Sequence, residues 1–202
     1  MQTIEIKGTV RAELGKKSTK ALRAEGQVPC VIYGGESNVH FTASEAEFRK
    51  VIYTPNVYII NVNVDGTVYP TVLQDTQFHS VKEQLLHADF LLVKEDKPVV
   101  IEIPVKLDGF AEGVRAGGKL QLEKRKLKVK ALAKYLPDTL DINIDELGLG
   151  KTIQVGGLSF DNLEMLNAKN AVVVAVRLTR AARAAGQAGG EEGEATSEAA
   201  EA

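Results

Sequence analysis

The residues with the clearest chemical potential are basic side chains concentrated between Lys7 and Arg23, a stretch that contains a single acid, Glu13. The basic residues are Lys7, Arg11, Lys16, Lys17, Lys20 and Arg23. Lysine and arginine at this density neutralise several phosphates at once, and the backbone N–H groups of a helix start also favour phosphate. The pattern indicates binding of a phosphate-rich polymer. The alternative is a solvated helix face, which is what most runs of charge turn out to be.

Residues suited to catalysis or to holding a cofactor are sparse. Gly150-Lys151-Thr152 resembles the end of a phosphate-binding loop, but Asp145 stands where that motif requires its first glycine. The histidines and the single cysteine have no metal-ligand spacing; they are His40, His79, His87 and Cys30. We therefore expect no enzyme activity, no cofactor and no metal site, and we interpret Cys30 as a small core residue.

The basic stretch is predicted to lead from a strand into a short helix. Residues 4–10 alternate apolar and polar side chains, as in a half-buried strand. Ser18 is placed to cap a helix that runs to Glu25. Lys20 and Arg23, three residues apart, then share one face of that helix. Residues 28–33 follow as a strand.

Three further patterns complete the first part of the chain. Ser44-Glu45-Ala46-Glu47 is a capping box that opens a helix with an apolar face. The Asp65-Gly66 pair predicts a type I′ hairpin between residues 57–64 and 67–73, and Pro70 predicts an edge or bulge position in its second strand. Residues 86–90 form a strand with His87 and Asp89 on one face.

The fold class predicted from these elements is mainly β (α+β), with an N-terminal small β-barrel and two helices, a C-terminal β-rich domain and a disordered acidic tail. The domains are residues 1–93, 94–180 and 181–202, with the first boundary at the charged run that ends in Pro98. Strands are expected at residues 99–105, 127–131, 140–144 and 171–178. Residues 109–118 contain four glycines and predict a flexible loop.

Charge is distributed unevenly among these parts. The 202 residues have a net charge of −2, which by itself argues against a nucleic-acid binder. Residues 1–93 have a net charge of −1, residues 94–180 of +3 and residues 181–202 of −4, so the acidic tail masks a basic body. In the second segment, Lys124, Arg125, Lys126, Lys128 and Lys130 are either a further basic surface or the ordinary exposed face of a strand.

Two sets of motifs resemble one known family. Val10-Arg11, Gly15-Lys16, Leu22-Arg23 and Pro29-Cys30-Val31-Ile32-Tyr33-Gly34, followed by Gln74-Asp75, His79 and His87-Ala88-Asp89-Phe90, resemble the bacterial ribosomal protein L25 family, which binds 5S rRNA. Gly113 to Gly118, Leu136-Pro137 and Ile144-Asp145-Glu146-Leu147 resemble the extra β domain of its long, general-stress (CTC-type) members. The resemblance spans residues 1 to about 178.

This resemblance implies a ribosomal, rRNA-binding protein of translation, located in the cytoplasm on the central protuberance of the large ribosomal subunit and bound at loop E of 5S rRNA. An RNA minor groove is wide and shallow and is read through phosphate and 2′-hydroxyl contacts, which suits a basic face without stacking aromatics. The implied RNA-binding residues are Arg11, Lys16, Lys17, Thr19, Lys20, Arg23, Tyr33, Gln74, His79, His87 and Asp89. Ala21 stands where the family often has a second consecutive basic residue, which weakens the expected contact.

Partners other than 5S rRNA remain open at this point. The second domain is expected to contact rRNA or neighbouring proteins of the central protuberance, and the free protein is expected to be a monomer without a membrane segment. One alternative function is a tRNA-binding module, since the barrel plan is similar to the anticodon-binding region of glutaminyl-tRNA synthetases. Another is a stress-related protein-interaction factor with incidental RNA binding.

Overall fold

A computed structural model describes residues 2–179 of the chain. Its helices are α1 (Lys16–Ala24), α2 (Glu45–Ile52) and α3 (Glu112–Arg115), with 3₁₀ turns at Ala133–Tyr135 and Val155–Gly157. Its strands are β1 (Gln2–Val10), β2 (Gln27–Tyr33), β3 (Val39–Ser44), β4 (Tyr58–Val64), β5 (Thr67–Phe78), β6 (Leu85–Leu92), β7 (Val99–Asp108), β8 (Lys119–Leu122), β9 (Lys126–Ala131), β10 (Leu140–Asn143), β11 (Thr152–Gln154), β12 (Glu164–Met165) and β13 (Val172–Arg177). The predicted disordered tail, residues 181–202, lies outside the described residues.

The first six strands close into a barrel in the order β1-β3-β2-β6-β5-β4. Parallel pairing of β1 with β4 over seven residues completes the ring. The interior is filled by inward-facing side chains that alternate with outward polar ones, and its largest members are the fully buried rings of Phe41, Phe48 and Phe90. This arrangement confirms the predicted mainly β fold with a small N-terminal barrel and two helices.

The two barrel helices differ from prediction in their capping. Helix α1 begins at Lys16 and not at Ser18, with Gly15 at its N-cap and no side-chain cap. The Ser18 hydroxyl instead donates to the carbonyl oxygen of Glu13, 3.4 Å away. Helix α2 begins after Ser44 as predicted, but the capping-box hydrogen bond is absent. The Glu47 carboxylate instead accepts from the backbone N–H of Lys7 in β1 at 2.7 Å. The side chain that would complete the capping box is therefore bonded to the barrel wall.

The β4–β5 hairpin has the predicted turn. Asp65 and Gly66 have φ angles of 47° and 92°, both in the left-handed region that a type I′ turn requires. The prediction that Pro70 lies at a sheet edge or in a bulge is wrong, because the closed barrel gives β5 a neighbour on each side. Pro70 is tolerated because it lies where the β5–β6 ladder ends. Its carbonyl faces β6 and accepts from Val93 N at 2.9 Å. Its nitrogen faces the same strand, so the missing N–H removes no bond to β4.

The rest of the described chain is also rich in strands. It forms a four-stranded sheet, β10-β7-β9-β12, and a three-stranded sheet, β11-β13-β8. Residues 109–118, predicted as a flexible loop, contain α3, and a Cβ on Gly113 would lie 2.6 Å from the backbone of Gly148. Glycine at position 113 therefore lets backbone pack directly on backbone, so here glycine serves close packing and not chain flexibility.

The chain divides into two compact units. Among residues 2–179, one unit contains residues 2–104, 128–139 and 162–164, and the other contains residues 105–127, 140–161 and 165–179. The domain boundary at residue 94 stays a prediction. Within residues 2–179, no helix is long and apolar enough to span a membrane.

Candidate nucleic-acid interface

One face of α1 carries most of the predicted phosphate-binding residues. Lys16, Thr19, Lys20 and Arg23 follow the i, i+3, i+4, i+7 spacing of a single helix face. They line a groove of about 700 Å³ together with Arg11, Leu14, Gly15 and His40. The lining therefore includes four cationic side chains and no carboxylate. Because these charges repel one another unless an anion lies among them, the groove attracts an anion.

Arg11 is held across this groove by the start of α1. Its Nη2 donates to the hydroxyl of Thr19 and to the carbonyl of Glu13, both at 3.3 Å. The Thr19 hydroxyl in turn donates to the carbonyl of Gly15 at 2.6 Å. The Nε of Arg11 is buried and has no hydrogen-bond partner. A buried guanidinium N–H without an acceptor is costly, so the position of Arg11 depends on its other hydrogen bonds.

Arg23 attaches α1 to the barrel. Its Nε and Nη2 both donate to the carbonyl oxygen of Leu86 in β6, at 3.0 and 2.8 Å, and the amide of Gln84 donates to the Arg23 carbonyl at 3.3 Å. Because α1 buries none of its side chains fully, this polar attachment contributes to holding the helix in place. Arg23 therefore has a structural role in addition to the RNA contact implied for it.

Lys17 is separated from the other predicted residues of α1. It is exposed, lies one residue and about 100° around the helix from Lys16, and does not line the groove. The structure places it on a different face of α1, where it provides a matched control for its neighbours.

A second group of predicted residues lies on the outer face of β2 and β6. Nδ1 of His87 is 2.6 Å from Oδ1 of Asp89, and both side chains are about one-third exposed, at 29% and 32%. Oδ1 of Asp89 is itself buried. Burial, followed by the charges of Asp89 and Asp75, raises the pKa of the Tyr33 phenol, which keeps it a hydrogen-bond donor.

Two predicted residues use their side chains to hold protein backbone. The amide of Gln74 donates to the carbonyl of Val100 at 2.9 Å. Nδ1 of His79 accepts from the backbone N–H groups of Val81 and Lys82 at 3.2 and 3.3 Å, which shapes the turn between β5 and β6. The structure does not bring Gln74 or His79 into the groove.

The groove also contains two residues that the sequence patterns did not identify as binding residues, Leu14 and His40. Leu14 is 60% exposed, although it is a large apolar side chain. His40 precedes the fully buried Phe41 in β3, so the strand alternation already placed its side chain outside the barrel. For His40, the alternation of the strand was therefore a sequence pattern that could have identified it. No sequence pattern pointed to Leu14.

The basic run near β9 shows the pairing expected of an ordinary strand face. Leu127, Val129 and Ala131 are buried, while Lys128 and Lys130 lie 3.5 and 3.0 Å from carboxylate oxygens of Glu102 and Glu164, respectively. These carboxylates neutralise part of the run, so it is a weaker candidate for phosphate than the α1 groove.

Cys30 lies in the barrel core with 1% of its surface exposed, as predicted. Burial raises the pKa of its thiol strongly, which disfavours the thiolate that reacts or binds metals. Among residues 2–179, no three His, Cys, Asp or Glu side chains are grouped so that they could hold a metal ion.

Comparison with known proteins matches both parts of the chain. Residues 6–90 match the ribosomal L25p family, and residues 98–180 match the C-terminal domain of ribosomal protein TL5. Relatives named large ribosomal subunit protein bL25 include that of Bacteroides fragilis, 53% identical over 183 residues, and that of Porphyromonas gingivalis, 54% identical over 180 residues. Each alignment covers 88% of this chain and 93% or 94% of the relative. The relative from Azobacteroides pseudotrichonymphae is 54% identical over 179 residues, which is 95% of its length. At this level of identity and coverage, the chain belongs to the ribosomal L25p family.

Proposed function

We propose that this protein is a structural component of the bacterial large ribosomal subunit and that it binds 5S rRNA through α1 and the adjoining sheet face. The observation that carries the proposal is the single face of α1 on which Lys16, Lys20 and Arg23 surround a groove without a carboxylate. Its relatives' names place those proteins in the large subunit. On this proposal the protein works in the cytoplasm, on the ribosome, and has no catalytic role.

The chemistry of the two residue groups is complementary. The α1 groove offers four cationic side chains, which suit phosphate oxygens. The outer sheet face offers a carboxylate at Asp89, an imidazole at His87 and a phenol at Tyr33, which suit the amino and hydroxyl groups exposed in a shallow RNA minor groove. Binding to one defined RNA site requires a groove that binds the phosphate backbone beside a polar surface that contacts the bases, and the two residue groups provide this arrangement. Loop E of 5S rRNA is the site we propose.

The domain division is part of the same proposal. The two family matches leave residues 91–97 between them, and this gap contains the charged run at residues 94–97. We assign RNA binding to residues 1–93 and contact with neighbouring ribosomal components to residues 94–180. The paired lysines of β9 favour the first segment as the main RNA-binding part.

The test compares full-length variants in a filter-binding assay with 5S rRNA. Lys16→Ala combined with Lys20→Ala removes two cations from the groove without touching the Arg23 attachment, and we expect affinity to fall at least tenfold, since each phosphate contact contributes to salt-dependent affinity. Lys17→Ala, on the other helix face, is the control and should bind like the wild type. Equal affinity of the double variant and the wild type would refute the site.

Membership in the subunit is tested separately by sedimentation. Tagged protein should travel with large subunits at moderate salt. Sedimentation away from them would favour the alternative of a protein-interaction factor.

A further inference from the structure

We infer that His40 is an additional RNA-backbone contact, one that joins the α1 groove to the polar face of β6 into a continuous binding surface. This inference rests on the proposed function and extends it to a residue that no motif of the family resemblance includes. The observation behind it is the position of His40 in the strand register of the barrel wall.

His40 lies beside the basic groove. The backbone N–H of Arg11 donates to the His40 carbonyl at 3.0 Å, directly after the pairing of Val10 with Phe41. His40 and Arg11 are thus neighbours across β1 and β3, and both line the groove. The ring of Phe41 is fully buried, so the side chain before it in the strand faces outward.

His40 also lies in the same cross-strand row as the β6 pair. Val31 of β2 is paired with His40 on one side and with Asp89 on the other. Paired residues of adjacent strands project from the same face, and the strands are about 4.8 Å apart, so His40 is about 10 Å from Asp89. The half-buried Val31 lies between them, so His40 is the polar side chain that links the α1 groove to the β6 pair.

The imidazole of His40 has no hydrogen bond or ion pair with any of residues 2–179, in contrast to the other two histidines. Nδ1 of His79 accepts hydrogen bonds from backbone N–H groups, and Nδ1 of His87 lies against Asp89. An imidazole N–H can donate to a phosphate oxygen, and the cations around His40 already concentrate phosphate there. The RNA backbone is therefore the ligand that the position fits.

The experiment uses the full chain, 5S rRNA, and both affinity and backbone footprinting. His40→Ala should weaken binding roughly three- to tenfold, the usual net effect of losing one hydrogen bond, and His40→Gln, which keeps a donor, should recover part of the loss. In the footprint, His40→Ala should lose protection only at nucleotides between those that depend on Lys20 and those that depend on Asp89. Asn61→Ala is the control, since Asn61 is a half-buried, outward residue of β4 away from the groove.

Two results would overturn the inference. One is wild-type affinity of His40→Ala while Lys16→Ala with Lys20→Ala binds weakly, which would leave the proposed function standing. The other is uniform weakening of every protected position, which is the signature of a disturbed barrel wall. If the wild-type chain failed to bind 5S rRNA at all, the proposed function itself would fall.

Discussion

The attachment of α1 by Arg23 separates the structural and electrostatic roles of the basic residues, and Arg23→Lys tests that separation. Lysine keeps the charge but loses the planar fork that places two N–H groups on the Leu86 carbonyl. Since α1 has no fully buried side chain, the bonds of Arg23 matter more for its attachment than they would in a helix anchored by core packing. The substitution should therefore loosen α1 and leave its charge unchanged.

The expected magnitude follows from the two bonds. Hydrogen bonds from charged donors contribute about 1.5–3 kcal/mol. Because both donors here share one acceptor at a partly exposed site, we expect the free energy of opening α1 to fall by about 1–2 kcal/mol. Amide hydrogen exchange in residues 16–24 should then accelerate roughly 5- to 30-fold, while the barrel strands keep their protection.

The matched variant is Lys20→Ala, which should show the opposite pattern. Its helix should exchange like the wild type, but its RNA affinity should depend less on salt. If the four groove cations each neutralise one phosphate, affinity falls about 150-fold between 50 and 200 mM salt, and only about 40-fold when one contact is lost. Arg23→Lys should keep the wild-type salt slope. Unchanged exchange in Arg23→Lys, or an unchanged slope in Lys20→Ala, would refute the assigned roles.

Three further predictions concern the barrel itself. Gly8→Ala should destabilise the protein by about 1–3 kcal/mol in denaturant unfolding, because the added Cβ would lie 2.5 Å from the buried ring of Phe41, which packs against Phe90; wild-type stability would show that the ring can move. Cys30 should resist alkylation until the protein unfolds, since burial raises the pKa of its thiol; rapid labelling of native protein would contradict that. Tyr33 should ionise above the usual tyrosine range, by absorbance titration against Tyr33→Phe, and Asp89→Asn should lower its pKa. Because the folded state holds the Tyr33 proton more tightly than the unfolded state, this contribution to stability should be lost as the pH rises above the ordinary tyrosine pKa.

The parts of the fold that depend on neighbouring residues were predictable from sequence. The Asp65-Gly66 turn, helix α2 and the outward pair His87 and Asp89 each follow from a short pattern, and the structure has all three. Features set by distant residues were not predictable. The position of Pro70 depends on the pairing of β5 with β6, where the N–H of Val93, twenty-three residues away, donates to the Pro70 carbonyl.

The site shows the same division. Helical spacing alone was enough to place Lys20 and Arg23 on one face, and the structure adds Lys16 and Thr19 to it. The second role of Arg23 depends on the Leu86 carbonyl, sixty-three residues away, and the position of His40 depends on its pairing with Val31. Such roles require the register of the sheet, which a single sequence does not contain.

The measurement that tests the central claim most directly is competition between two RNAs for the full chain. Labelled 5S rRNA bound to the protein is challenged with increasing amounts of bulk tRNA at a fixed, moderate salt concentration. A site that combines the α1 groove with the polar face of β6 predicts that an excess of tRNA leaves the 5S rRNA complex largely intact, because shape and polar contacts add to the phosphate contacts. Displacement by an equal mass of tRNA would contradict the account and favour a general tRNA-binding module.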